Sequence, residues 1–158
     1  MPHPAGHRRR GAPAVTSESR RANVEAEVEK GQTSLRAARA LLELGFPDEC
    51  VGRAYYGLFH LVCAVLLTEG LEARSHPGVD HLFNLHFVRG GRLDSGLAKA
   101  FARLAQFRLQ ADYSRAFRFS REGAEEELVV AERAAAALLE FLRAGGWPSA
   151  APAPRREP

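Results

Sequence analysis

The stretch Cys50 to Leu67, CVGRAYYGLFHLVCAVLL, is the longest apolar run in the chain and carries polar groups inside that run. Its apolar residues return at helical spacing (Val51, Ala54, Tyr55, Leu58, Val62, Leu66), and Phe59, Cys63 and Val65 widen the stripe until little of the circumference is left for water. A segment of this kind is a central helix that other helices must cover. At about 100° per residue, Arg53, Tyr56 and His60 stand at i, i+3 and i+7, so a cation, a phenol and an imidazole share one narrow line on an otherwise apolar cylinder. Buried polar groups need partners. One other stretch, Phe107 to Tyr113 (FRLQADY), interrupts an apolar helical stripe as abruptly, and the two are expected to face each other.

A chain of 158 residues, 46% hydrophobic and 26% charged, fits one domain around one core. Its Pro and Gly gather at the ends and in short joints, which leaves the middle to long helices. The net charge of +3 belongs to the ends: residues 1–21 carry +4 and residues 144–158 carry +1, so the body is at −2. That body lacks the basic excess of a dedicated nucleic-acid binder. Cys50 and Cys63 lie on one expected helix, roughly 20 Å apart by its rise, too far for a disulfide. Both read as buried thiols of a reducing compartment. The basic opening MPHPAGHRRRGAPA has no apolar segment behind it, and no run reaches the ~18 apolar residues of a membrane span. The expectation is a cytoplasmic protein without membrane contact.

Residues 1–21 mix Pro, Gly, Ser and Arg without periodicity and are expected to form a disordered basic tail. Arg8, Arg9 and Arg10 within it read either as solvated charge or as an arm touching nucleic acid. Helix 1 is expected from about Ala22 to Leu44 on the rhythm of Val24, Val28, Leu35, Ala38 and Leu42, with Gly31 weakening its middle by ~1 kcal/mol. Gly45, then Pro47, Asp48 and Glu49, mark a tight hairpin into helix 2, which runs toward Gly70. Ser75 is an N-cap for a short helix with Val79, Leu82, Phe83 and His86 on its core face, stopped by Gly90 and Gly91. Asp94 caps helix 4, in which Leu97, Phe101, Leu104, Arg108 and Ala111 occupy successive core-facing positions. Phe117 and Phe119 are expected to fold back, and Ser120 to cap helix 5, with its seam of Leu128, Ala131, Ala135, Leu138 and Leu142. Residues 145–158 read as a disordered Pro/Ala-rich tail, with Trp147 folding back. The expected fold is therefore all-α, an up-and-down four-helix bundle with one additional short helix over residues 22–144.

Candidate chemistry is sparse. His76, His81 and His86 recur every five residues, which leaves successive imidazoles about 140° apart on a helix, so they do not converge on a metal ion. His76 reads as a first-turn residue that hydrogen-bonds locally. No Glu-x-x-His repeat, phosphate-binding Gly-rich loop or Cys–His nucleophile pair is present, and no cofactor is expected. What remains is the polar seam: Arg53, Tyr56 and His60 on helix 2, Arg108, Asp112 and Tyr113 on helix 4, with Arg108 and Asp112 one turn apart. One reading is a buried ionic network that fixes helix register. The other is a basic, aromatic-edged pocket for a phosphodiester, with His60 as proton carrier and Arg108 as electrostatic clamp. Spacing does not decide between them.

GRAYYGLFHLVCAVLL, then SHPGV, then FV-x-G-G, then FRLQADY together resemble the HEPN domain, in the form of small stand-alone prokaryotic HEPN proteins, over about Val24 to Leu142. The resemblance implies the helical bundle. It also implies a homodimer and a setting beside a small nucleotidyltransferase as a toxin–antitoxin pair. Many members are metal-independent ribonucleases with an arginine followed after four to six residues by a histidine in the penultimate helix. Arg108 matches that arginine, but Tyr113, Ser114 and Arg115 occupy the three positions open to the histidine. Arg53 and His60 have the gap but stand on a different helix. The resemblance thus implies a module binding nucleotide, RNA or a partner at least as much as an active ribonuclease.

Overall fold

The computed structural model describes residues 16–149. They form α1 (Ser17–Glu43), α2 (Pro47–Leu67), α3 (His76–Phe83), a π-helical turn over Asn84–Val88, α4 (Ser95–Tyr113) and α5 (Arg121–Ala144). There is no strand among the described residues, and the chain is all-helical as its periodicity requires. The parts of the two expected tails at 1–15 and 150–158 lie outside the described residues, Arg8, Arg9 and Arg10 among them.

α1 starts five residues before the expected Ala22, because the Thr16 side chain accepts the Ser19 N–H and Glu18 sits in the positively polarised first turn. Residues 17–21 are thus helical. At the other end Trp147 packs against the core, its N–H bonded to the Leu142 carbonyl, and Arg21 donates to the Gly146 carbonyl. The packed unit therefore reaches past residue 144 as well as before residue 22. Gly45, at φ +88°, closes α1 with the paired bonds Phe46 N–H to Leu41 O and Gly45 N–H to Leu42 O, and Pro47 opens α2 at once.

The hairpin brings α1 and α2 together through two glycines. A Cβ on Gly31 would stand 2.8 Å from Leu61 Cγ, and one on Gly57 would stand 2.6 Å from Leu35 Cγ and 3.2 Å from the Gly31 carbonyl. Gly31 is therefore a contact surface for α2 rather than only a weak point in α1. α2 also meets α3, α4 and α5, and most of its apolar residues are buried. By length and a mean hydropathy of 1.6, α2 does reach the composition of a membrane span, but 67% of that window is buried inside the bundle. The covering helices take the place of lipid. Burial also holds the thiols of Cys50 and Cys63 protonated, pushing them up to about 11 and about 12.

Two expected faces are corrected. On α3 and the turn after it the buried residues are Val79, Phe83 and Phe87, at intervals of four, while His86 is exposed. The π-turn adds a residue to the local repeat, which keeps Phe87 on the core side, where it meets Phe141 edge-on at 5.8 Å. On α4, burial stops at Leu104. Arg108 and Ala111 are half-buried and Leu109 and Tyr113 exposed, because this end of the helix runs past the elements that cover its first half. α5 buries all five of its expected seam residues, and also Glu127, whose carboxylate is held by Arg103.

The glycine crossing makes a test with its own control. Gly57→Ala should lose about 1–3 kcal/mol to overpacking despite gaining ~1 kcal/mol of helix propensity. Gly52→Ala, one and a half turns earlier with nothing within 4 Å of its added methyl, should be neutral or stabilising. Urea unfolding of both separates the effects, and a Gly57→Ala midpoint at or above wild type would remove the close crossing from the account.

Candidate functional site

Tyr55 is 2% exposed, and a buried phenol needs a partner for its hydroxyl. It finds one across the bundle, where His76 Nδ1 lies 2.6 Å from the Tyr55 oxygen. His76 is placed there by the turn before α3, in which the Ser75 hydroxyl accepts the Gly78 N–H and Pro77 sits in the first turn. The ring of Tyr55 lies flat against Phe101 of α4 at 5.6 Å, and the imidazole of His76 stacks on Phe59 at 4.3 Å. Above this aromatic floor comes Arg108, whose guanidinium is 5.1 Å from the Tyr55 ring centre and 5.4 Å from that of Tyr56. Arg108 Nη1 donates to the Tyr56 hydroxyl at 2.7 Å.

Tyr55, His76, Phe101 and Arg108 line a cleft of 580 Å³ between α2, the start of α3 and α4, with Pro77 and Leu109 at its sides. Its lining is mainly apolar with a few converging polar groups, the usual make-up of a ligand site. Among the described residues the guanidinium has one ion pair, and it is long. Asp112 Oδ2 is 3.9 Å from Arg108 Nε, and the Asp112 side chain is 59% exposed, so solvent weakens that pair. Asp80 lines the same cleft but is outside ion-pair distance of Arg108 and accepts a hydrogen bond from Asn84. A mostly buried cation thus lines the pocket, with one carboxylate paired to it weakly and the other beyond ion-pair distance.

Burial pushes the Tyr55 hydroxyl up to about 12, with the Arg108 charge pulling the other way. Burial, then Arg108 and His60, lower His76 below its ordinary 6.5. At neutral pH the pair is therefore an intact phenol and a neutral imidazole. Among the described residues no three His, Cys, Asp or Glu side chains converge as metal ligands.

Only part of the expected seam is assembled. Tyr56 and Arg108 meet as the facing stretches require. His60 turns to α1, where its Nδ1 is 2.7 Å from Glu27 Oε2, and Arg53 is exposed; both line a separate groove with Lys30 and Thr33. The helical line carrying Arg53, Tyr56 and His60 is real, but helices flank it on two sides and its members reach to different ones. Tyr113 is 82% exposed and stands apart from the cleft. His76, expected to bond only locally, instead spans to α2. The signal for it was Tyr55 itself, a phenol at a core position of α2 that needs a hydrogen-bond partner somewhere off its own helix.

A helical bundle with a basic, aromatic cleft between its second and fourth helices is the class these features define. The HEPN domain family matches residues 24–142, and the chain belongs to that family. Among its relatives, "Putative toxin MJ0605" of Methanocaldococcus jannaschii is 33% identical over 101 residues, 64% of this chain and 75% of that protein. The UPF0332 protein of Thermotoga maritima is 33% identical over 103 residues, covering 65% and 78%. The UPF0332 protein glr0978 of Gloeobacter violaceus is 30% identical over 116 residues, covering 73% and 92%.

The lowered His76 pKa gives a stability test. Below pH 6.5 the unfolded chain takes up a proton at this site that the folded chain resists, so folded stability falls as pH drops from 6.5 through the folded value. The charged and titratable groups acting on His76 or sharing its cleft are His60 and Tyr55 from α2, Asp80 from α3 and Arg108 from α4. Urea midpoints measured between pH 7 and pH 5 should fall in the wild type and fall less in His76→Gln. Equal slopes would remove the burial argument for this imidazole.

Proposed function

We propose that this protein is the HEPN component of a toxin–antitoxin-like pair with a small nucleotidyltransferase, and that it acts by binding RNA or a nucleotide through phosphate in the α2–α4 cleft. The observation that carries this reading is Arg108. Its guanidinium is held by the Tyr56 hydroxyl and two aromatic rings, its pair with Asp112 is long and solvated, and it lines a cleft in which the lining carboxylate, Asp80, is outside ion-pair distance. A planar cation so placed is suited to a phosphate oxygen, and the surrounding apolar walls to a base or sugar. Membership of the family and the toxin name of relatives support the paired setting.

The same reading includes a homodimer in the cytoplasm. Leu109 and Tyr113 are large, exposed and one turn apart on α4, with Leu109 at the side of the cleft, a surface that a second copy would cover. Sedimentation at micromolar concentration should give the mass of two chains, and a monomer alone would remove the dimer.

Replacing Arg108 by Lys keeps the charge and loses the planar fork. Binding of a short labelled single-stranded RNA should weaken about tenfold or more, the equivalent of ~1.4 kcal/mol or above. Because lysine keeps the charge and most of the aliphatic stem, melting should shift by no more than ~4 °C. Arg108→Ala should lose more binding and flatten the salt dependence. Loss of binding only in step with loss of stability would return the seam to a purely structural role.

A further inference from the structure

We infer that the ligand of the α2–α4 cleft is a guanosine phosphate, with Arg108 holding the phosphate and the Asp80 carboxylate reading the paired N–H groups on the edge of the base. The inference rests on the phosphate-binding reading above and adds to it the class of nucleotide and the residue that selects it.

The cleft carries two opposite charges that do not neutralise each other. Asp80 lines it together with Arg108, yet the two are beyond ion-pair distance, and no other basic group among the described residues pairs with Asp80. Asp80 Oδ1 accepts one long bond from the Asn84 amide at 3.3 Å, and that amide is closer to the Asp80 carbonyl, at 2.9 Å. A half-buried carboxylate in this state keeps most of its capacity, since its two oxygens offer about four lone-pair sites. Both charges bear on the floor of the cleft. Burial dominates the titration of the Tyr55 hydroxyl, and behind it the Arg108 charge lowers and the Asp80 charge raises that same group.

The two charges stand at different places along the cleft. Arg108 belongs to the last turns of α4 and lies over Tyr55 and Tyr56. Asp80 is one turn beyond His76 on α3. From there the chain leads through the π-turn to Leu93, whose N–H is bonded to the Phe87 carbonyl, and on to the start of α4. Asp80 is therefore displaced from His76 toward the opening turns of α4, away from Arg108. The α4 residues that line the cleft run from Phe101 to Leu109, about 12 Å by the helical rise. A nucleoside monophosphate has a similar reach from its phosphate to the far edge of its base. Pro77 on one side and Ala102 and Ala105 on the other are compact walls that leave room for a flat ring.

A ligand that satisfies both charges carries an anion at one end and N–H donors at the other. Phosphate supplies the first, and like charge keeps it from the Asp80 end. Guanine supplies the second, because its N1–H and its 2-amino group stand side by side and match the two oxygens of a carboxylate. Adenine and cytosine present an amino group beside a bare ring nitrogen, which meets the carboxylate lone pair to lone pair. Uracil presents one N–H between two carbonyl oxygens. Asp80 thus selects guanine by attraction and disfavours the other bases by repulsion.

The experiment measures Kd by titration calorimetry on the full chain at neutral pH, with the 5′-monophosphates of guanosine, inosine, adenosine and uridine and with inorganic phosphate. Wild type should bind the guanosine nucleotide about tenfold or more tighter than those of adenosine and uridine. Inosine, which keeps N1–H and lacks the amino group, should fall in between. Asp80→Asn puts an amide donor where an acceptor stood, and should weaken guanosine monophosphate about tenfold and bring it level with adenosine monophosphate. The same variant should hold inorganic phosphate as well as wild type or better, because a negative charge has left the cleft. Arg108→Lys should weaken all four nucleotides and leave their order unchanged. His81→Gln, on the exposed side of α3, should bind like wild type. Short RNA strands differing in one guanosine separate the two sources of the ligand: the guanine preference recurs in the strands if the cleft admits RNA, and is confined to the monophosphate if it takes the free nucleotide. Arg108-dependent binding of all four nucleotides within about threefold of one another would overturn the guanine assignment and leave the phosphate reading standing. A guanine preference that survives in folded Asp80→Asn would overturn Asp80 as the selecting residue. Absence of any Arg108-dependent binding would overturn the phosphate reading itself and this inference with it.

Discussion

The bundle depends on keeping α2 dry. Its apolar side chains take up most of its circumference, and α1, α3, α4 and α5 all pack on it. Such a helix has two physical settings, lipid or a protein core, and here four elements supply the core. The contact with α1 runs through Gly31 and Gly57, where the two helices approach at each other's missing side chains. Alanines at those points would push α1 away from α2 and open a gap along Leu35 and Leu61. The ion pairs come after this in importance. Arg39 bridges to Glu125 and Glu132 from α1 to α5, in part exposed to solvent, and orients helices that apolar packing has already brought together.

A covered helix imposes a further condition, that every polar atom on it be matched. Tyr55 and Tyr56 are adjacent in sequence, so their hydroxyls leave the helix in directions about 100° apart. One is met by His76 and the other by Arg108. The requirement that stabilises the core is thereby the same one that assembles the cleft. It draws an imidazole from the start of α3 and a guanidinium from the last turns of α4 to the two sides of one aromatic floor. Arg108 differs from Arg39 and Arg103, which are held by carboxylates, because its hydrogen-bond partner is the Tyr56 hydroxyl and its own carboxylate, Asp112, is mostly in solvent. A cation paired this weakly at the edge of an apolar cleft is the feature on which the proposed anion binding rests.

The helices, their order and most of their ends were legible because they follow from local rules. Gly45 and Pro47, the caps Ser75, Asp94 and Ser120, and the alanine seam of α5 act within a few residues of themselves. The family resemblance was legible too, since it lies in contiguous strings. The start of α1 was missed because the Thr16 cap stands directly behind a Pro- and Gly-rich stretch that hides the first helical turn. The core face beyond Phe83 was missed because a π-turn changes the period on which the reading relied.

The sequence by itself determined that α2 is central, that it carries polar groups needing partners, and that Arg108 is among the groups able to supply them. Periodicity states which direction a side chain leaves its helix, and burial follows from that direction. Only the tertiary structure decided which partner each group found. His60 went to Glu27 and not to the cleft, Tyr113 was left in solvent, and His76 joined Arg108 across Tyr55. The reason is that partner choice depends on how helices are spaced and rotated about one another. That geometry is set by contacts such as Gly31 against Gly57, summed over the whole bundle, and no window along the chain contains it.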